Sequence, residues 1–322
     1  MASANEVHMI ISASRRTDIP AVYSRWLMNR IRAGWCVVTN PVNTKQVSRV
    51  SLRPEDVDGI VFWSKNPAPM LEHLDELDAR GFAYYFQFTL NDYPKALEPH
   101  IPSLDERLAT FLKLREHLGS TRVIWRYDPI IISNITPYSF HSDRFAMMAE
   151  RLKGATHHVM VSVVDYYRKT DRRLSTLEQQ GFSFDRGAAS SPGMTRLMTK
   201  IAESAIKYGM EIYTCSEGRD FSNCGVPPGR CIDDKLLSNL LQMPVTYPKD
   251  PNQREFCLCV VSKDIGMNDT CIHGCPYCYS TKNYDLAKRR HSEHDPNSPA
   301  IWGHPELPAE SQEVAREQAR LF

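Results

Sequence analysis

A chain of 322 residues, 42% hydrophobic and 24% charged, can bury one large core or two ordinary ones, which excludes an intrinsically disordered chain. Lys plus Arg number 39 against 38 Asp plus Glu, and the resulting net charge of +1 excludes a main affinity resting on a broad polybasic face for nucleic acid or membrane. The opening MASANEVHMI lacks the basic start and apolar core of an export signal, and no run of about 18 apolar residues occurs, so a soluble cytoplasmic protein with no membrane partner is expected.

Short apolar runs alternate with amphipathic helical patterns along the chain. The first run, 9–12, leads through Ser14-Arg15-Arg16-Thr17-Asp18 into a helical pattern at 21–33. The second, 36–39, is followed by a less helical connection, 40–58. The third, 60–63, ends in Trp63-Ser64-Lys65-Asn66 ahead of a helix at 70–80, and the fourth, 84–89, carries Gln87 and Thr89 ahead of one at 104–118. The fifth, 123–126, runs into Arg126-Tyr127-Asp128 before a helix at 142–153. Runs at 159–164 and 211–215 flank a helix at 194–208 that Gly209 stops, and 256–261 is the eighth. Eight strands with helical crossovers predict a closed (β/α)8 TIM-type barrel, a single domain over 1–322, in preference to an open doubly wound sheet. Within it, 252–295 is a cysteine-rich cluster-binding segment and 296–322 an irregular tail broken by prolines.

Strand carboxyl ends converge on one face of a barrel, where its chemistry sits. Arg15, Arg16, Asp18, Lys65, Asn66, Gln87, Arg126 and Asp128 are therefore the candidate catalytic residues of the mouth. The cationic members suit a carboxylate or phosphate on a small-molecule, anionic substrate. Trp63 and Trp125 are read as packing residues, and Asp18-Ile19-Pro20 also has the form of a helix cap.

With no export signal, nine cysteines point to metal or redox chemistry rather than disulfides. In Cys271-Ile272-His273-Gly274-Cys275-Pro276-Tyr277-Cys278 three thiols are spaced C-x3-C-x2-C, followed by a helical pattern at 284–291. Three thiolates can hold a 4Fe-4S cluster with one position open, and zinc accepts the same sulfurs. Cys257 and Cys259, alternate residues of a predicted strand, share a face. With Cys215 and Cys231 they make four thiols for a second centre, which suits a second iron-sulfur cluster. Cys224 lies close enough to replace either of the latter two, and Cys36 is read as core. His273 is taken as a solvated loop histidine, with a supporting donor to the cluster as the other reading.

The C-x3-C-x2-C pattern with Tyr277 before its last cysteine resembles the radical S-adenosylmethionine signature. The resemblance implies that Cys271, Cys275 and Cys278 each hold one iron of a 4Fe-4S cluster, with Tyr277 in the cofactor-binding loop. The amino and carboxylate groups of S-adenosylmethionine would take the fourth iron, and reductive cleavage would give a 5′-deoxyadenosyl radical. It further implies a reductant partner such as flavodoxin or ferredoxin. In that superfamily the motif usually follows the first barrel strand, whereas here it follows the eighth. No counterpart of the Gly-Gly-Glu segment that commonly contacts the cofactor is evident. Over nearly its whole length the chain also resembles the bacterial domain of unknown function 1848. IISASRRTDIPA (10–21), NPVNTKQVSRVSL (40–52), GIVFWSKNPAPM (59–70), YYFQFTLNDY (84–93), CIDDKL (231–236) and NQREFCLCVVSKDIG (252–266) carry that resemblance.

The alternative from another class is a barrel with a structural zinc site and a binding or hydrolytic role. One C-x2-C knuckle, Cys275 to Cys278, stands against it, since zinc modules often pair two. The basic run KRRHSEH at 288–294 is read as a solvated helix end, so a nucleic-acid partner is not indicated.

Overall fold

The structure is a computed structural model that describes residues 8–43 and 45–305. The export-signal reading of residues 1–7 and the far tail, 306–322, lie outside the described residues. In chain order the elements are β1 (Met9–Ala13), α1 (Ile19–Val22), α2 (Ser24–Ala33), β2 (Trp35–Thr39), β3 (Val47–Ser51), β4 (Val57–Ser64), α3 (Leu74–Ala79) and β5 (Tyr84–Thr89). There follow α4 (Leu104–Leu118), β6 (Val123–Ile130), α5 (Tyr138–Arg151), β7 (His158–Val163), α6 (Arg168–Glu178), α7 (Pro192–Lys207), β8 (Glu211–Thr214), α8 (Asp234–Leu241), β9 (Lys263–Asp264) and α9 (Tyr284–Ser292).

Seven strands form one parallel sheet in the order β8-β7-β6-β5-β4-β1-β9. Neighbouring strands thus follow one another in sequence, interrupted by the β2–β3 hairpin, with β9 added beside β1. Among the described residues no ladder joins β8 to β9, so the fold is a mixed α/β architecture built on a seven-stranded parallel sheet.

Three sequence expectations change here. The run at 36–39 is a strand, but it pairs antiparallel with β3 in a separate sheet. Its turn is fixed by Asn40, whose Oδ1 accepts from the Val42 N–H at 2.9 Å, and whose backbone N–H reaches the Gln46 carbonyl. The run at 256–261 makes no strand. Cys257, Cys259 and Val260 instead turn toward the sheet face, and the edge strand forms two residues later at Lys263–Asp264. The segment 168–178, absent from the predicted helices, is α6.

Side-chain alternation divides the sheet into two faces. On one face, Phe62, Phe86, Trp125 and Val161 pack beneath the helices with Trp26 and Leu27 of α2, Phe111 of α4, Phe145 of α5 and Leu197 of α7. The Trp125 and Phe145 rings stack at 4.6 Å. On the other face Ile10, Val61, Tyr85, Ile124 and Met160 are covered by Ile232, Leu236, Leu237, Cys257, Cys259 and Val260. Residues 231–260, with α8 among them, therefore fill the inside of the sheet, where a barrel would carry layers of side chains. The hydroxyl of Tyr85 donates to the Cys231 carbonyl at 2.8 Å and accepts from the Asp233 N–H at 3.1 Å. Residues 296–299 bind the opposite side of the molecule, where Trp26 Nε1 donates to the Ser298 carbonyl and the Val37 N–H to that of Pro299. Among the described residues no helix is long and apolar enough to cross a membrane.

Candidate functional site

Each strand of the filled face becomes polar toward its carboxyl end. The same alternation that buries Ile10, Val61, Tyr85, Ile124 and Met160 presents, two and four residues later, Ser14, Trp63, Lys65, Thr89, Arg126, Asp128 and Ser162. These side chains line one cavity of about 380 Å³, closed over by segments 253–259 and 271–281. Seven of the nine cysteines line it too: Cys215, Cys231, Cys257, Cys259, Cys271, Cys275 and Cys278. Cys36 is buried in the core, and Cys224 packs against the helix-covered side.

Of the candidate strand-end residues, Arg15, Arg16, Asp18, Lys65, Arg126 and Asp128 lie on this cavity, as does Tyr277. Asn66 and Gln87 do not line it. Asn66 donates its N–H to Ser64 Oγ at 3.0 Å within the loop. Gln87 is buried one layer below, where its Nε2 donates to the Cys231 carbonyl at 2.8 Å and its Oε1 accepts from Arg126 at 3.2 Å. Trp63, expected to pack, lines the cavity with Arg126 and Arg15 over its ring at 5.0 and 5.8 Å. No residue of 288–294 reaches it.

Three of the cations at the mouth are each matched by a carboxylate, while the Arg15 guanidinium donates to Ser262 Oγ at 3.1 Å. Arg16 Nε donates to Asp264 Oδ1 at 3.0 Å, Lys65 Nζ to Glu98 Oε1 at 2.8 Å, and Arg126 to Asp128. Burial works against ionisation of Asp264, but Arg16, Ser14 and Arg15 outweigh it and hold the carboxyl below its ordinary range. Burial likewise opposes the Lys65 charge, and Glu98 and Cys275 outweigh it. An incoming carboxylate or phosphate would therefore compete with Asp264, Glu98 and Asp128 for these cations. Asp264, Glu98 and Ser162 were not among the sequence candidates. Ser12 in otherwise apolar β1 and Ser14 just past its end were the only pointer to Asp264, whose carboxylate accepts from both at 3.1 and 2.6 Å.

Segment 270–283 has almost no regular structure, and side chains hold it in place. Tyr23 and Tyr284 donate their hydroxyls to the Thr270 and Ile272 carbonyls at 2.7 and 3.0 Å. His273 is buried, and its Nε2 meets Asp18 Oδ2 at 2.8 Å. The same Asp18 caps α1 through the Ala21 N–H and accepts the Lys65 N–H at 2.7 Å. Burial opposes its charge, but His273 and Lys65 hold its carboxyl below the ordinary value. Tyr277 donates to Glu98 at 2.5 Å. From α6, the guanidinium of Arg173 donates to the carbonyls of Pro276, Cys278 and Thr281.

Two of the three thiols so held are driven toward the neutral form. Burial pushes Cys275 up to about 12, partly offset by Lys65. Burial, with the charges of Cys278 and Asp18 adding, pushes Cys271 well above its ordinary range. Across the cavity, Cys231 Sγ lies 3.0 Å from Cys215 Sγ and 2.8 Å from Arg126 Nη1. The Ile232 N–H points at Cys259 Sγ at 3.4 Å. Among the described residues no three or more His, Cys, Asp or Glu side chains already surround a common point as a metal cage.

A family model described as "Domain of unknown function (DUF1848)" matches residues 10–280. Neither a curated protein nor a solved structure matches the chain.

Proposed function

The chain belongs to the DUF1848 family, and from its cavity we propose that it is an iron-sulfur enzyme of the radical S-adenosylmethionine type, with Cys271, Cys275 and Cys278 holding a 4Fe-4S cluster. One observation carries this reading. Three thiols of a single side-chain-braced loop face a cavity at the carboxyl ends of parallel strands, alongside the polar ends of those strands. Buried thiols pushed up by burial and by one another's charge are relieved by a bound cation, which accepts them as thiolates.

A 4Fe-4S cluster held by three thiolates supplies a reducing electron and an open iron for the amino and carboxylate groups of S-adenosylmethionine. The chain's own residues bind and orient around it. Asp18 fixes His273 and the Lys65 backbone, and Lys65 places an ammonium beside Cys275, where it offsets thiolate charge. Asp128, held ionised against burial by Arg126 and Ser162, offers a carboxylate to a cationic amino group. Ser14, Thr89 and Ser162 give hydroxyls for a ribose or small substrate, and Trp63 gives an aromatic face. The sequential strand order and the filled inner face support reading the sheet as the wall of a (β/α) barrel. A one-electron donor such as flavodoxin or ferredoxin completes the reading.

The test is protein purified without oxygen, assayed for iron, acid-labile sulfide and visible absorption before and after reduction, then for 5′-deoxyadenosine release from S-adenosylmethionine. The expected result is about four sulfides per chain with about four cluster irons, the sulfide lost together with cofactor cleavage in Cys275→Ala. Zinc without sulfide on the 271–278 loop would overturn the reading and favour a structural site.

A further inference from the structure

The second group of cysteines sits where the sheet is left unjoined. Cys215 follows β8 at one edge, Cys257 and Cys259 precede β9 at the other, and Cys231 stands between them ahead of α8. Cys231 Sγ lies 3.0 Å from Cys215 Sγ, and Cys257 and Cys259 line the same cavity. Donors converge on these sulfurs: Arg126 Nη1 on Cys231 at 2.8 Å and the Ile232 N–H on Cys259 at 3.4 Å. Arg15 lies within electrostatic reach of Cys259 and Cys257. Guanidinium and backbone N–H groups only donate, and a thiolate accepts from them far better than a thiol does.

We infer that Cys215, Cys231, Cys257 and Cys259 form a tetrathiolate site for a single divalent, thiophilic ion, zinc or ferrous iron, that ties the two edges of the sheet together. Charge supports it. Four thiolates around a divalent ion carry a net charge of −2, and Arg126 and Arg15 lie against the group. Spacing separates it from a cluster. Metal–sulfur bonds of about 2.3 Å put tetrahedral sulfurs about 3.8 Å apart, so loading opens the 3.0 Å Cys215–Cys231 contact by less than ~1 Å and draws Cys257 and Cys259 onto the same point, which no three such side chains among the described residues yet share. A four-iron cubane, whose cysteine sulfurs hang from separate irons, needs them far wider apart than the Cys215–Cys231 pair at 3.0 Å. Binding releases up to four thiol protons and changes no oxidation state.

The inference is independent of the cluster on the 271–278 loop, and Cys275→Ala separates the two. In that variant, loaded without oxygen, one zinc or iron per chain should remain without acid-labile sulfide. Cys231→Ser and Cys259→Ser should lose that ion, and Cys36→Ala should keep it. Because a substitution at buried Cys231 can prevent folding, Cys275→Ala is also loaded with cobalt(II). The expected spectrum combines intense sulfur-to-cobalt charge transfer with the visible bands of a tetrahedral site. Sulfide accompanying the retained metal, a Cys215–Cys231 disulfide in place of metal, or an octahedral cobalt spectrum would each overturn the inference.

Discussion

Asp18 shows how much one carboxylate does at this site: it caps α1, takes the Lys65 N–H and holds buried His273, so three separated segments share one charge. Its neighbour in the loop, Gly274, sits at φ +74°, where an added Cβ would meet His100 Cδ2 at 3.0 Å and Pro99 Cγ at 3.2 Å. Gly274→Ala should therefore cost roughly 1–3 kcal/mol of stability and reduce iron content in anaerobic preparations. Wild-type iron content in that variant would show that the loop tolerates the strain. His141 gives a pH prediction. It is fully buried, its Nε2 meets the Ile131 carbonyl at 2.9 Å, and its Nδ1 meets the Tyr127 hydroxyl at 2.7 Å. In the neutral ring Nε2–H donates to that carbonyl and Nδ1 accepts from the Tyr127 hydroxyl. Burial lowers its pKa to about 4, so the unfolded chain binds the proton first as pH falls. Stability is complete above about 6.5 and declines as pH falls toward about 4, by about 3 kcal/mol from this residue alone. Denaturant unfolding of His141→Asn should show a flatter decline over that interval, and an unchanged slope would refute the assignment.

At the scale of elements, the 270–283 segment is held from outside itself, with α6 supplying the clamp through Arg173. Arg173→Gln should weaken the loop by about 2–3 kcal/mol, seen as faster iron release to a chelator with the circular dichroism spectrum retained. Release at the wild-type rate would show that the tyrosine contacts suffice. Nothing in the sequence marks Arg173, because its three acceptors lie about 105 residues away on another segment. The parallel strands were legible because each alternates or runs apolar between helical patterns, and their polar carboxyl ends identified six of the eight mouth candidates on the cavity. Pairing was not legible. The run at 36–39 has strand composition in either sheet, and only the Asn40 turn selects the antiparallel partner. Phe256 to Val261 alternates as a strand does, yet its cysteines turn inward onto the sheet face instead of joining a ladder. Gln87 was placed on the mouth by its strand position. It lies one layer deeper because residue 231 returns across the sheet to meet it.

Over the whole molecule, the sheet supplies a wall and residues 231–260 supply its filling, and the fit between them is close. Gly59 of β4 faces Leu237 of α8, and any Cβ there would overlap the leucine side chain. Gly59→Ala should cost about 1–3 kcal/mol by overpacking, and Gly59→Ala with Leu237→Ala should recover part of that loss in a double-mutant cycle. Strict additivity would mean that the two do not share the space. The sheet also resolves the unusual chain position of the cysteine motif. Because β9 pairs with β1, strand, cysteine loop and α9 stand beside the first strand in space although they follow β8 in sequence. Ser14 and Arg16 reach Asp264 across about 250 residues of intervening chain. A ribosome must therefore deliver the whole sheet before the cavity acquires its cysteine wall. An inorganic centre on the 271–278 loop would thus be installed late, onto a chain whose sheet is already made.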